Sequence, residues 1–363
     1  MKKVLIIVGT RPNFIKITQF KRVAKKHPSI EIKILHTSQH SQPNMSDIFF
    51  HQFGIIPDYY LDLHNTNPVS QIGEIILGIQ RMVDEYKPAL VIVVGDVNST
   101  LAAAITANKM GIPLAHLESG LRSKDRTMPE EINRIVTDQL SDHYFITEQS
   151  GIDNLSEEGL NHNHHVVGNT MIDTMVAFDN QIQSDKILET LKIDTDFILM
   201  TIHRPATVDT VAGLIALINL IQSAASKSNV VFPIHPRTVD RLKTFNLLEK
   251  LQKIPNLLST EPLGYFSFQK LVSSCKLIIT DSGGIQEEST YRQIPCLTLR
   301  HNTERPVTVT KGTNQLITPD PEIVGRKVQE VLDGKGKKGS IPELWDGKAT
   351  ERVFEVIDRI LLD

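Results

Sequence analysis

The chain has 363 residues, a length that predicts about two domains. Hydrophobic residues make up 40% and charged residues 22%, with 18 Pro and 20 Gly, which excludes a fibrous or largely disordered chain. A net charge of −3 excludes a global basic field for nucleic acid or anionic lipid, and two cysteines, Cys275 and Cys296, exclude a disulfide framework and a Cys-rich zinc site and fit a reducing, cytoplasmic setting.

Met1-Lys2-Lys3 followed by Val4–Val8 has only five apolar residues before Gly9, too few for a secretory signal, which needs about 7–15. No window approaches the roughly 20 apolar residues of a membrane span. In chain order, Val4–Val8, Ile32–Leu35, Leu90–Val94, Pro113–Leu117 and Tyr144–Thr147 are short runs rich in β-branched residues. A second series follows at Phe197–Ile202, Val230–Ile234, Leu277–Thr280 and Cys296–Leu299. Unbroken apolar runs of this length suit parallel strands buried on both faces. Helical spacing fills the intervals, as in Val69–Glu85, where Ile72, Ile75, Ile76, Ile79, Met82 and Val83 form one stripe. The alternation predicts an α/β chain of two doubly wound, Rossmann-like lobes facing a cleft. The lobes are expected at 1–168 and 169–348, with a polar helical segment around Asp173–Glu189 after the hinge. A last helix, 349–363, could pack on either lobe by sequence alone. Asp333–Gly339 reads as a solvated basic loop, and Trp345 as an anchor for the last helix.

Ligands of open parallel sheets bind beyond the carboxyl ends of the strands, where strand order reverses. The polar clusters lie there: Gly9–Pro12, His36–His40, Gly95-Asp96, Glu118–Gly120, His203-Arg204, His235–Arg237 and Asp281–Gly284. At Leu277–Glu288 a strand enters a Gly-Gly turn and then a helix, so Ser282, Gly283 and Gly284 direct backbone N–H groups and a helix dipole at one spot suited to phosphate. An ordinary Asp/Ser helix cap is the competing reading. Glu288, one turn on, could accept from a ribose diol. Neither a GxGxxG fingerprint between a strand and a helix nor a Walker A motif is present, which argues against dinucleotide and P-loop chemistry. Arg11 and Lys16 are the candidate cations of the first lobe. Asp96, Glu118 and Glu130 are the acid/base candidates, since partial burial at a strand end raises a carboxyl toward working pH. Glu130 with Arg134 at i,i+4, and Glu131 with Arg134 at i,i+3, read equally well as helix support. Asn161–His165 reads as a polar loop; no metal is expected.

These residues resemble the non-hydrolysing UDP-N-acetylglucosamine 2-epimerases over nearly the whole chain. The resemblance rests on Gly9-Thr-Arg-Pro-Asn-Phe-Ile-Lys16, Thr37–His40 with Met45 and Phe49-Phe50, Gly95-Asp96 with Ser99-Thr100, and His116-Leu-Glu-Ser-Gly-Leu-Arg122. It continues through Met128-Pro-Glu-Glu-Ile-Asn-Arg134, Val167–Thr170, Thr201–Arg204, Asp281–Glu288 and Thr303–Pro306. It implies a fold of glycosyltransferase-B type, a last helix crossing back onto the first lobe, a homodimer, no cofactor, and C2 inversion of a UDP-sugar by elimination and re-addition of UDP. By the same resemblance His203 is a diphosphate-side catalytic residue, Leu263 and Phe268 meet uracil, Glu288 the ribose, and Arg305 the nucleotide end. Gln39, His40 and His235 correspond to a segment that binds a second UDP-sugar as activator. The chain departs from the family at Asn13, commonly Glu; at Ser38, commonly Gly; and at Pro205-Ala206-Thr207, where a Glu usually follows the His-Arg pair. The short segment Ser123–Met128 also occurs in relatives acting on UDP-2,3-diacetamido-glucuronate, so the substituents at C3 and C6 stay open. Hydrolysing relatives and glycosyltransferases on the same fold are the remaining alternatives.

Overall fold

A computed structural model describes residues 1–39, 50 and 52–362. The chain forms two compact units, Met1–Phe178 with Glu343–Asp363, and Asp179–Pro342. The first unit is built on a seven-stranded parallel sheet of order β3-β2-β1-β4-β5-β6-β7. Its strands are β1 (Lys2–Val8), β2 (Ile30–His36), β3 (Tyr59–Tyr60), β4 (Leu90–Val94), β5 (Leu114–Leu117), β6 (His143–Ile146) and β7 (His164–Val166). Strand order reverses between β1 and β4, paired in register Val4↔Leu90 to Ile7↔Val93, so the loops after Val8 and Val94 lie side by side. All five residues of β4 are buried, as a strand covered on both faces requires.

The second unit has a six-stranded parallel sheet of order β10-β9-β8-β11-β12-β13. These are β8 (Phe197–Thr201), β9 (Asn229–Pro233), β10 (Leu257–Thr260), β11 (Leu277–Thr280), β12 (Cys296–Thr298) and β13 (Asn314–Leu316). Here the reversal falls between β8 and β11, which brings the loops after Thr201 and Thr280 together. Cys275 and Cys296 are buried in this unit, and burial pushes both thiols up, Cys296 to about 11.

The helix expected at Val69–Glu85 spans Pro68–Tyr86. The Asn67 side chain accepts from Val69 N–H (3.0 Å), Pro68 starts the first turn, and Lys87 ends the helix at φ 51°. The segment expected around Asp173–Glu189 is instead three helices, Thr170–Ala177, Asp179–Ser184 and Ile187–Thr190, and the chain leaves the first unit at 178 rather than 168. The reason is burial: Met171, Ile172 and Met175 are core residues, and Thr174 donates to the Ile15 carbonyl. Asp173 accepts from the N–H groups of Ala349 (3.0 Å) and Thr350, which fixes the last helix, Ala349–Leu362, to the first unit. Phe354 completes the attachment against Phe20 and His27, with ring centroids 5.8 and 5.1 Å away. Trp345 is buried just before this helix and donates to the Thr147 carbonyl (3.4 Å).

Lys337, expected in a solvated loop, folds inward and donates to the carbonyls of Asn314 (2.9 Å) and Val309. Among the described residues no helix is long and apolar enough to cross a membrane.

Candidate active site

In the first unit the loop after β1 is shaped by close approach. A Cβ on Gly9 would lie 2.2 Å from Ser99 Oγ, so only glycine fits. Asn13, on the helix Arg11–Ile17, ties this loop to β4: its Oδ1 accepts from the N–H groups of Gly9 (3.1 Å) and Thr10 (3.2 Å), and its Nδ2 donates to Val94 O (3.0 Å). The amide both donates and accepts; a glutamate, the family's common residue here, could not donate to Val94.

Three helix residues after Asn13, Lys16 is buried and ion-paired to Glu118 beyond β5, which is buried too. Gly95 lies against this pair, its hypothetical Cβ 3.2 Å from Lys16 Nζ, 3.3 Å from Asn13 Nδ2 and 3.7 Å from Glu118 Oε2. Glu118 itself has φ 74°, a left-handed conformation costly for a non-glycine residue and a kind of strain that clusters at functional sites. Asp96 is held by Arg134, with Nη2 at 2.6 Å and Nε at 3.0 Å, and Asn133 donates to the Asp96 carbonyl (2.9 Å). Each of these two carboxylates therefore has a cationic partner beside it.

Arg134 also pairs with Glu131 (2.7 Å), and Glu131 accepts from Ser123 N (2.9 Å) and Lys124 N (2.8 Å). Glu131 is thus the structural partner, while Glu130 stands exposed in the first turn after Pro129. Arg11 is exposed at the first position of its helix. Gln39 Oε1 accepts from Ser99 N (2.9 Å) and Oγ (2.7 Å). His40, Met45 and Phe49 lie outside the described residues.

In the second unit Asp281 bridges the two loops at the sheet reversal. Its carboxylate accepts from the backbone N–H groups of His203 (3.1 Å) and Arg204 (2.8 Å) and lies 3.2 Å from His203 Nδ1. Burial alone would raise this carboxyl, but the hydrogen bonds from His203 and Arg204 outweigh it and hold it below the usual aspartate range. His235 lies 5.8 Å from the His203 ring, and its Nδ1 caps the next helix by accepting from Arg237 N (3.2 Å).

The helix Gly283–Arg292 begins beside these groups with no side-chain cap, and Ser282 N donates to Thr280 Oγ1 (3.0 Å). The turn therefore offers fewer backbone donors than the sequence suggests. Arg305, expected at the nucleotide end, is buried and paired with Glu287 (2.7 Å) and Glu304, while Arg300 pairs with Glu304 at 2.9 Å. The head groups of Glu304 and Arg305 lie over Gly283, where a Cβ would be 2.5 Å from Glu304 Oε1 and 2.8 Å from Arg305 Nη1. Glu288 is buried one turn into the helix. Leu263 and Phe268 pack against one apolar cluster that includes Val272, Cys275 and Ile285.

Sequence reading passed over His116, Asp138, Arg300, Glu287 and Glu304. His116, Glu287 and Glu304 lie inside the motifs that carry the resemblance, whereas Asp138 and Arg300 lie outside them, and no local pattern marks which of these charges pair. The segment expected as a polar loop enters β7 at His164: this side chain donates to the Leu160 carbonyl (2.6 Å), and the ring of His165 stacks on that of His143 in the neighbouring strand at 5.7 Å.

A profile of the family described as UDP-N-acetylglucosamine 2-epimerase matches residues 22–358. The chain is 38% identical to UDP-N-acetylglucosamine 2-epimerase of Methanocaldococcus jannaschii, over 98% of both chains. It is 35% identical to UDP-2,3-diacetamido-2,3-dideoxy-D-glucuronate 2-epimerase of Pseudomonas aeruginosa, over 99% of this chain and all of the other. A crystal structure of the Methanocaldococcus jannaschii UDP-GlcNAc 2-epimerase in complex with UDP-GlcNAc and UDP superposes with a TM-score of 0.89, at 36% identity and over 98% of this chain and 99% of that one.

Proposed function

The chain belongs to the UDP-N-acetylglucosamine 2-epimerase family, and from that membership we propose that it is an isomerase interconverting UDP-GlcNAc and UDP-ManNAc. The observation that carries this reading is the match over 98% of the chain to an epimerase solved with UDP-GlcNAc and UDP.

The C2 proton of the sugar is not acidic, so inversion proceeds by loss of UDP to 2-acetamidoglucal and re-addition of UDP with C2 protonated on the other face. Asp96, Glu118 and Glu130 form the acid/base set that removes and returns that proton. Breaking the C1–O bond places charge on the diphosphate. Arg11, Lys16, His203 and the helix terminus at Ser282–Gly284 are assigned to that charge, where preorganised donors act most strongly. Leu263 and Phe268 are assigned to uracil, Glu288 to the ribose and Arg305 to ordering the nucleotide side. Gln39 and His235, with His40, are the candidates for an activator subsite. The protein acts in the cytoplasm as a homodimer and supplies precursors for surface polysaccharide.

Incubation with UDP-GlcNAc in D₂O is expected to give UDP-ManNAc with deuterium at C2. The 35% identity to the diacetamido-glucuronate enzyme supports a second substrate reading. If that sugar alone becomes labelled, it replaces UDP-GlcNAc; transfer to an acceptor, or release of free ManNAc without label exchange, overturns both.

A further inference from the structure

His116, in β5, has no assigned role and is wholly buried. Its Nδ1 lies 2.6 Å from Asp138 Oδ1 and its Nε2 lies 2.8 Å from the carbonyl oxygen of Gly95. A neutral imidazole has one donor and one acceptor nitrogen, whereas a carbonyl oxygen can only accept. Nε2 therefore carries a proton. The state of Nδ1 depends on Asp138, whose other oxygen already accepts from Gly120 N (3.0 Å) and Arg122 Nη2 (2.7 Å). Burial alone would raise the Asp138 carboxyl, but His116 and Arg122 outweigh it and hold it below the usual range. An ionised Asp138 requires a proton on Nδ1 as well. Arg122 in turn meets Glu158 through Nε and Nη2, each at 2.7 Å, so four buried or half-buried charges balance.

The bonds made by this pair fall on the two turns that carry the acid/base candidates. Gly95, at φ 66°, precedes Asp96; β5 holds its N–H through Leu117 O (3.0 Å) and its C=O through His116. Asp138 holds Gly120 N–H at the end of the turn that begins with Glu118. We propose that His116 is a doubly protonated positioning residue which, through Gly95 and Asp138, fixes the Asp96 and Glu118 turns relative to one another. Its kinetic consequence rests on the epimerase reading; its protonation does not.

The test compares His116→Gln, whose amide can replace the Nε2 donor to Gly95, with His116→Asn, whose amide can replace only the Nδ1 donor to Asp138. Each variant keeps one of the two bonds and loses the other, so each is expected to lower kcat about 10- to 100-fold with KM for UDP-GlcNAc unchanged. An unchanged kcat in either variant, or KM rising in step with the fall in kcat, overturns the positioning role. Nitrogen-15 spectra of the wild-type protein, with the His116 ring assigned by through-bond correlation to its own backbone amide, test the protonation independently. Two ring nitrogens resonating close together are the imidazolium signature, and a widely split pair overturns the proposal even if neither variant folds. If wild-type protein epimerises nothing while the imidazolium signature is present, the epimerase reading fails and the protonation inference stands.

Discussion

Both sheets reverse strand order between their first and fourth strands as the chain meets them, β1 against β4 and β8 against β11, yet the two junctions are joined by different chemistry. In the first unit the neutral amide of Asn13 links the loops, and around it lie the ion pairs Lys16–Glu118 and Asp96–Arg134. In the second unit the carboxylate of Asp281 links them through backbone N–H groups, beside an uncapped helix start. Backbone strain differs as well. Ser38 and Glu118 are left-handed non-glycine residues at strand carboxyl ends of the first unit, whereas among the described residues of the second unit those at Lys192, Asn246, Asn256 and Gln293 fall elsewhere. Strain and paired charge at one edge suit proton transfer, and backbone donors at the other suit holding a diphosphate.

The largest effect should come from the first edge. Asp96→Asn and Glu118→Gln are each expected to lower kcat about 100- to 10,000-fold, the usual worth of a general acid or base, while UDP still binds. Calorimetric titration with UDP beside turnover assays checks this; UDP binding lost together with kcat would erase the division of labour. At the second edge Gly283→Ala drives a Cβ into the Glu304–Arg305 pair. That should cost about 1–3 kcal/mol of stability as an overpacked site and raise KM more than it lowers kcat. Thermal melting and steady-state kinetics measure the two parts, and an unchanged KM would detach this ion pair from nucleotide binding.

The interior of each sheet was legible because β1, β4, β8 and β11 are apolar on both faces. The strands missed, β3, β7, β10 and β13, are edge or terminal pieces of two to four residues with half-exposed side chains such as Val166 and Leu258, so no apolar run marks them. Site residues were legible by position, since strand carboxyl ends are where polar groups gather. Their partners were not: Lys16 and Glu118 are 102 residues apart, and nothing local in sequence says that a lysine or arginine at a sheet edge is already neutralised. Arg305 shows the same limit with Glu287, which reads locally as an ordinary helix residue.

Acid separates the two junctions next. The carboxyl of Asp281 is held below its ordinary value, so the stability it contributes is present above that value and is lost as the pH falls through the lower, folded one. Asn13 does not titrate. Hydrogen exchange should therefore show the amides of His203 and Arg204 losing protection at a higher pH than those of Gly9 and Thr10. Simultaneous loss would mean that the carboxylate does not control its junction.

The smallest effect concerns strain alone. Ser38, where the family commonly has glycine, sits at φ 57°, and its Oγ lies 3.2 Å from His36 Nδ1. Glycine would relieve a left-handed cost of about 1–2 kcal/mol but lose about 0.5–1 kcal/mol to the greater freedom of the unfolded chain. Ser38→Gly is then expected to gain about 0.5 kcal/mol or somewhat less, once the weak bond to His36 is subtracted. Denaturant midpoints can resolve a change of that size. A loss instead of a gain would show that the hydroxyl, not the backbone, decides this position, and that the strain at the first unit's edge is confined to Glu118.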